Sequence, residues 1–388
     1  MRNLVRSLTS GVAAGSVMIG AAWATVGLMP TGGPIPDPAI SAELGKAIEQ
    51  ARTLDDGVRL PDGVFKVGAA DVSIAPKSVA EGGPWIRHGK DGNCEGQSTL
   101  YTPLSNPSCL RTFDSNWATG VDEAAGLGVF VRATTISNGV DTIALAVMDT
   151  VGWFYGYDQS VCQGCGSAEI ASSLEASLGI PAKNIVISAT HTHASADTVM
   201  ATPSWYFDLV RDATKQAISQ AYANARLARI ETGTTPAKAF NTDRRIVTRA
   251  VPDYELGWLR AFDPDTDETI TTVANFSVHP TITAGNRDLH SGLVGHLAKR
   301  LRESWGGNTL FFPGGLGDQT VNRGFGRDGF GYGLAELILA DAETDGYVLT
   351  SNEIISERRI IQAPADNLSL AAANIGKVFV RDATVTGP

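Results

Sequence analysis

Apolar and polar positions vary along the chain in a pattern that predicts strands and helices following one another. Residues 206–227 carry apolar side chains at helical spacing and predict the clearest helix, with further helices at 167–178, 292–304 and 331–342. Short apolar runs rich in β-branched residues predict strands at 65–76, 128–136, 142–150, 185–189, 228–234, 257–263, 270–278, 309–314 and within 354–385. Strands interleaved with helices are typical of an α/β domain.

One predicted strand leads directly into a pair of histidines. In the segment NIVISATHTHAS, the apolar run ends at small residues, and His191 and His193 follow with one residue between them. On an extended backbone, residues two apart face the same side. Histidines held at a strand end are a common way to bind a catalytic metal. The alternative is a pair of polar loop histidines, because a triplet such as HTH also occurs by chance.

A third histidine has a similar setting. His279 lies in NFSVHPT, and the proline after it favours an extended backbone at a strand end. Taken alone, His279 is equally well explained as a core or capping histidine. Taken with His191 and His193, it predicts the metal centre of a hydrolase. The other histidines of the chain are expected on the surface or behind the metal ligands: His88, His290 and His296.

Two further segments carry polar groups next to predicted strands. The loop GGLGDQTVNR follows a buried strand, and its glycines allow a close approach of the backbone to a ligand, while Asp318 and Thr320 offer a carboxylate and a hydroxyl. Arg244, in FNTDRRIV, can hold a carbonyl or an oxyanion. The plainer alternatives are a tight structural turn for the loop and an exposed salt bridge for the arginine.

Composition and charge limit the classes of partner. The chain has 388 residues, 43% of them hydrophobic, which is enough for a sizeable core. A formal net charge of −10 argues against nucleic acid as a partner. It leaves a small-molecule, lipid-like substrate and peripheral contact with a membrane open, because a local apolar entrance does not affect net charge. No protein partner is predicted.

The N-terminus has the pattern of a targeting segment. A basic start with Arg2 and Arg6 precedes a small, apolar stretch, and the triplet AWA resembles a cleavage site. Export of the protein to the medium or the cell envelope is therefore expected, with an uncleaved anchor as the alternative. The predicted organisation is a signal peptide or anchor at 1–29, a lead-in at 30–60 and a zinc hydrolase domain at 61–388 that is incomplete at its C-terminus.

The cysteines support an oxidising compartment. The simplest arrangement pairs neighbours in the sequence, and CQGC could instead be half of a zinc knuckle, although no second CxxC is present. Disulfides are favoured over metal binding for all of them: Cys94 with Cys109 and Cys162 with Cys165.

Five segments occur in the order of motifs known from one family: VGAADVS, the pair VFVRATT and LAVMD, NIVISATHTHASA, FSVHP and GDQTVN. They resemble the catalytic domain of the neutral (non-lysosomal) ceramidases, which are zinc-dependent amidases, and the similarity runs from about residue 65 to 345. The resemblance implies an α/β fold of mixed sheets layered with helices. The C-terminal immunoglobulin-like domain of the family is expected to be absent.

The resemblance also assigns roles. It implies that His191 and His279 bind zinc and that His193 contacts the substrate carbonyl or its oxyanion. Arg244 is the nearest match to the active-site arginine of the family. Asp318 and Thr320 match the G-D-x-S loop, with threonine in place of serine.

The departures from the family pattern concern the completeness of the site. Val321 replaces a proline, and Gly292 stands where an aspartate is common. The glutamate and tyrosine that complete the family's zinc site have no counterpart in the sequence, and Glu353 and Glu357 have no context that favours them as substitutes. Asp149, at the end of LAVMD, is a candidate either to orient a metal-bound histidine or to cap the next element.

The prediction for function is thus an exported, zinc-dependent amidohydrolase that cleaves the N-acyl amide bond of ceramide or a related N-acyl lipid. The alternative is a non-catalytic, ceramidase-like protein with an incomplete metal shell. A weaker third hypothesis is a hydrolase with Thr320 as its nucleophile.

Overall fold

The computed structural model describes residues 57–94, 108–113, 117–122, 127–157, 161–199, 202–245, 251–282 and 287–359, together with Lys46, Glu49 and Gln50. Its helices are α1 (Ser167–Leu178), α2 (Ser204–Ala223), α3 (Leu293–Trp305) and α4 (Gly326–Thr344). Its strands are β1 (Phe65–Ser73), β2 (Gly120–Val121), β3 (Phe130–Ser137), β4 (Thr142–Met148), β5 (Ile185–Ala189), β6 (Arg226–Pro236), β7 (Asn241–Asp243), β8 (Glu255–Phe262), β9 (Thr269–Phe276), β10 (Asp288–Leu289), β11 (Asn308–Pro313), β12 (Gln319–Val321) and β13 (Tyr347–Val348). The predicted signal peptide at 1–29, most of the lead-in and the predicted strands beyond residue 359 lie outside the described residues.

One mixed sheet dominates the described part of the chain. Its strand order is β11-β9-β8-β6-β1-β3-β4-β5, and β13 adds to β6. The pairs β4–β5 and β9–β11 are parallel, whereas the other pairs along this path are antiparallel. The short strands form two separate ladders, β10 with β2 and β12 with β7.

The two halves of this sheet face each other. Leu145 and Val147 of β4 share a hydrophobic cluster with Leu310 and Phe312 of β11. Successive strand residues point to opposite faces. The intervening residues of β4, such as Ala146, therefore face the other way and pack against helices.

Helices cover both outer faces. Ile170 of α1 and Val210 of α2 pack in one cluster with β3 and β4. Leu297 of α3 and Leu334 of α4 pack in another with β8, β9 and β11. The α/β fold of mixed sheets layered with helices is therefore confirmed. No immunoglobulin-like domain is present in the described residues.

Several predicted boundaries shift by a few residues. The helix expected at 206–227 ends at Ala223, because the chain turns at Asn224 and begins β6 at Arg226. The helix expected at 331–342 begins at Gly326, and Gly331 lies inside it where α3 approaches closely. A Cβ at Gly331 would lie 2.3 Å from the Leu293 carbonyl oxygen, so this contact needs a glycine.

The prediction of strands from residue 354 is wrong for residues 354–359, which are neither strand nor helix. Side-chain contacts rather than strand pairing hold the chain that leads into them. The side-chain Nδ2 of Asn352 donates to the carbonyls of Leu60, Pro61 and Val64 at 2.8, 2.9 and 3.1 Å. Ile354 packs on the core beside β1 and β6.

Both sequence-local disulfides are present, Cys94–Cys109 and Cys162–Cys165. Among the residues described, no helix has the length and apolar character needed to cross a membrane.

Candidate metal centre

The loop after β5 carries two of the histidines. β5 and β4 are parallel, and the chain leaves them side by side: the Thr190 amide donates to the Met148 carbonyl at 2.9 Å and the His191 amide to the Thr150 carbonyl at 3.0 Å. His191 has φ of 61°, in the left-handed region that non-glycine residues rarely adopt. β5 therefore does not continue through the histidines as an extended strand, and both imidazoles nevertheless reach the same site.

The third histidine comes from the other half of the sheet. β9 ends at Phe276, and the His279 amide donates to the Gln319 carbonyl at 2.8 Å. His279 also forms an isolated parallel bridge with Thr320. Since the two halves of the sheet face each other, the loops after β5 and β9 meet at one edge.

The three imidazoles converge there. The Nε2 atom of His279 lies 2.9 Å from Nε2 of His191 and 3.0 Å from Nε2 of His193. Among the described residues, this is the one group of three or more His, Cys, Asp or Glu side chains that is close enough to hold a metal ion. Its ligand atoms all lie within 4.8 Å of one another. His193 and His279 are each 9% exposed. Such a group can supply one face of a metal coordination sphere.

Contacts at Nδ1 of His191 and His279 determine which ring nitrogen carries the proton. Nδ1 of His191 contacts the carbonyl oxygen of Val151, and Nδ1 of His279 lies 3.1 Å from that of Leu316. A carbonyl only accepts, so each Nδ1 carries the proton. In a neutral ring, Nε2 then has a free lone pair.

Burial keeps both rings neutral. Desolvation, together with the neighbouring His193, lowers the pKa of His191 to about 4. Desolvation, with His191 and His193 beside it, lowers the pKa of His279 to about 3. The Arg244 cation adds to both shifts. Near neutral pH, two lone pairs therefore face each other with no proton between them.

Two facing lone pairs repel unless a cation lies between them, and this set of donors fits a divalent metal. Imidazole nitrogens bind zinc at about 2.0–2.1 Å, which places two ligands of a tetrahedral site about 3.3 Å apart. The observed separations of 2.9 and 3.0 Å need only a small opening of the cluster. The hydrogen bonds from Nδ1 to carbonyls are the outer contacts that orient metal-bound histidines.

The predicted loop and arginine lie beside the histidines. The Arg244 guanidinium donates to the Gly317 carbonyl from Nε at 3.0 Å and from Nη2 at 2.8 Å. Its amide donates to the Asp318 carbonyl at 2.8 Å. Thr320 pairs with Thr242 in the β12–β7 ladder, so Arg244, Asp318 and Thr320 belong to one unit next to His279.

The other residues considered as metal ligands or as partners of the ligands lie outside the histidine cluster. The Asp149 carboxylate accepts from the Arg132 guanidinium at 2.7 Å and from the Phe130 amide at 3.0 Å, and the Val151 carbonyl takes the place at His191 that Asp149 was a candidate for. Within the described residues, the remaining histidines and the two candidate glutamates stay outside the cluster: His88, His290, His296, Glu353 and Glu357.

Sequence reasoning missed three neighbours of the cluster. The carbonyls of Val151 and Leu316 left no signal, because any residue supplies a carbonyl. Phe113 lies with its ring centroid 4.5 Å from that of His193 and its plane at 70° to it. Its only hint was its position just after Cys109 in the cysteine-containing loop.

The fold and the histidine cluster define an α/β protein with a candidate metal centre. Among solved structures, the neutral ceramidase from Pseudomonas aeruginosa matches with a TM-score of 0.53 and 14% sequence identity, over 73% of this chain and 46% of that one. A ceramidase complexed with C2 matches with the same TM-score and identity, over 73% of this chain and 45% of that one. The chain thus spans less than half the length of these neighbours.

No protein-family model and no curated protein matches the sequence. At this identity, the likeness to the ceramidases is one of fold.

Proposed function

We propose that this chain is an exported, zinc-dependent amidohydrolase that cleaves the N-acyl amide bond of ceramide or a related N-acyl lipid. The observation that carries the proposal is the 2.9 Å approach of the Nε2 atoms of His191 and His279, whose Nδ1 atoms each contact a backbone carbonyl. The ceramidase fold of the structural neighbours supports the choice of an amide substrate.

His191 and His279 would hold the zinc ion, since each ring presents Nε2 to the cluster and has Nδ1 bonded to a backbone carbonyl. When bound, zinc lowers the pKa of a coordinated water and polarises a carbonyl oxygen. His193 and Arg244 donate hydrogen bonds to the carbonyl oxygen as negative charge develops on it. A neutral His193 can do so if its proton is on the ring nitrogen that faces the substrate.

The loop next to His279 orients the substrate. Asp318 is partly buried and is paired with Arg245, which fixes the loop that carries Thr320. The Thr320 hydroxyl hydrogen-bonds to the substrate or to the attacking water. The zinc hydrolase domain extends over 61–388 in this proposal.

Export rests on two observations. Two disulfides are consistent with an extracellular protein. The basic and apolar N-terminal sequence has the composition of a signal peptide. A lipid-like substrate is then reached by peripheral contact with a membrane.

The test is metal analysis of the purified chain together with hydrolysis of N-acylsphingosine. Near-stoichiometric zinc, loss of turnover with a chelator and recovery on adding zinc would support the proposal. Turnover that survives chelation, with a covalent adduct on Thr320, would instead identify a threonine nucleophile.

A non-catalytic, ceramidase-like protein is the second candidate. It is favoured by one observation: within the described residues, the cluster contains three imidazoles and no carboxylate. A chain that binds no zinc at neutral pH without chelator and hydrolyses no N-acyl lipid would support this candidate and contradict the amidohydrolase.

A further inference from the structure

The loop that carries His193 is joined to a second, buried segment. Ala196 forms an antiparallel bridge with Thr112, and the Asp197 amide donates to the Arg111 carbonyl at 2.9 Å. Segment 108–113 therefore follows the histidine loop side by side.

That segment is fastened along its length. Cys109 is bonded to Cys94 and forms a bridge with Ile86. The Leu110 carbonyl accepts the Ala118 amide at 2.9 Å. The residues from Cys109 to Thr112 are at most 3% exposed. Phe113, the next residue, is only half-buried, so its side chain keeps some contact with solvent while the backbone before it is held in place.

The ring of Phe113 is close enough to the site to contact a substrate. Its centroid lies 4.5 Å from that of His193. If His193 is within hydrogen-bonding distance of the substrate carbonyl oxygen, the first carbons attached to that carbonyl come within van der Waals range of the phenyl ring.

The two sides of the site differ in polarity. Arg244, Asp318 and Thr320 are carried by the unit next to His279. Phe113 is carried by the segment next to His193. The polar head of the amine portion suits the first side, and an apolar acyl chain suits the second.

We infer that Phe113 determines specificity for the acyl group, because its ring forms an apolar wall beside His193 against which the acyl chain of the substrate lies. This inference rests on the proposed function. It adds a preference for long over short acyl chains that depends on one side chain.

Binding of alkyl hydroxamates to the zinc-loaded full chain tests whether Phe113 contacts the acyl chain, and it requires no turnover. Acetohydroxamate and octanohydroxamate share a metal-binding head group and differ only in the length of the acyl chain. Calorimetry is expected to show octanohydroxamate binding about tenfold or more tighter to the wild type, since burial of several methylenes against a ring is favourable.

Phe113→Ala is expected to reduce this long-to-short ratio at least about fivefold, with unchanged zinc content and unchanged affinity for acetohydroxamate. Phe113→Leu should fall between. Tyr222→Ala is the matched control, because Tyr222 is an exposed aromatic residue in the last turn of α2, which ends just before β6 begins, away from the strand ends that carry the histidines. It should leave the ratio unchanged.

The outcomes separate the two proposals. If the wild type binds zinc and both hydroxamates, and Phe113→Ala has the same long-to-short affinity ratio, the role of Phe113 is refuted and the proposed amidohydrolase activity is unaffected. A wild type that binds neither zinc nor hydroxamate overturns the proposed function, and the inference with it.

Discussion

At the scale of single residues, the backbone carbonyls behind the rings decide what the cluster can bind. Val151 and Leu316 each hold an Nδ1 proton, which leaves both Nε2 atoms as acceptors. His191 and His279 could not make a hydrogen bond to each other in this state, although their nitrogens are 2.9 Å apart. A cation shared by the two rings would satisfy both lone pairs.

The first prediction concerns these two ligands. His191→Ala and His279→Ala are each expected to lose at least about tenfold in zinc affinity, because each removes one of few ligands from a catalytic-type site. Both variants should remain folded. Zinc titration against a competing chelator, with circular dichroism as the check on folding, measures the effect.

His88→Gln is the control for nonspecific loss of a histidine, since His88 lies outside the cluster. It should bind zinc like the wild type. Full zinc affinity in either ligand variant would refute the assignment of that histidine.

The second prediction concerns the neighbouring imidazole. His193→Ala is expected to keep its zinc and to lose roughly a hundredfold or more in kcat, as for a lost oxyanion donor. Metal content and turnover of an N-acyl lipid are measured on the same sample. Loss of zinc in this variant would instead make His193 a third ligand, which its 3.0 Å approach to His279 also permits.

The sequence singled out the three histidines that the structure brings together and the arginine that lies beside them, because metal-ligating side chains are few and their context is recognisable. It did not identify the carbonyls that orient them, since a backbone group has no residue type. It also could not predict the left-handed turn at His191, which depends on how β4 and β5 end together.

At the scale of elements, the site depends on four strand ends. Period-two and period-3.6 patterns in the sequence predicted the longer strands and the helices α1 to α4, because each buries one face. They could not predict that β4 pairs in parallel with β5 and β9 with β11, or that the two halves of the sheet face each other. Those pairings join residues distant in the chain, and only tertiary packing selects them.

The N-terminus of α3 packs closely against the loop that carries His191 and His193. Gly292 has φ of 64°, and a Cβ there would lie 2.9 Å from the hydroxyl oxygen of Thr192, the residue between the two loop histidines. Gly292→Ala is therefore expected to lower stability by about 1 kcal/mol or more and also to weaken zinc binding, because the loop must shift. Urea unfolding and zinc titration measure the two effects.

Gly306 offers a matched control at the other end of the same helix. It has φ of 78°, and a Cβ there would meet nothing within 4 Å. Gly306→Ala should cost a similar amount of stability and leave zinc affinity unchanged. Equal zinc affinities in the two variants would mean that the contact between Gly292 and Thr192 does not position the histidines.

At the scale of the whole molecule, His191 and His279 link folding to pH. The pKa values of His191 and His279 are about 4 and about 3 in the folded chain. An unfolded histidine titrates near 6.5. Between these values the unfolded chain binds more protons than the folded one, so stability must fall as the pH falls.

The last prediction follows for the metal-free protein. Its melting temperature is expected to drop by several degrees between pH 7 and pH 5, a range in which ordinary carboxylates stay ionised. The variant His191→Asn with His279→Asn should show a smaller drop, because two of the groups that gain protons on unfolding are gone. Some pH dependence should remain, since burial also lowers the pKa of His296. Thermal unfolding followed by circular dichroism after chelation provides the measurement, and an equal drop in the variant and the wild type would show that these histidines are not held neutral by the fold.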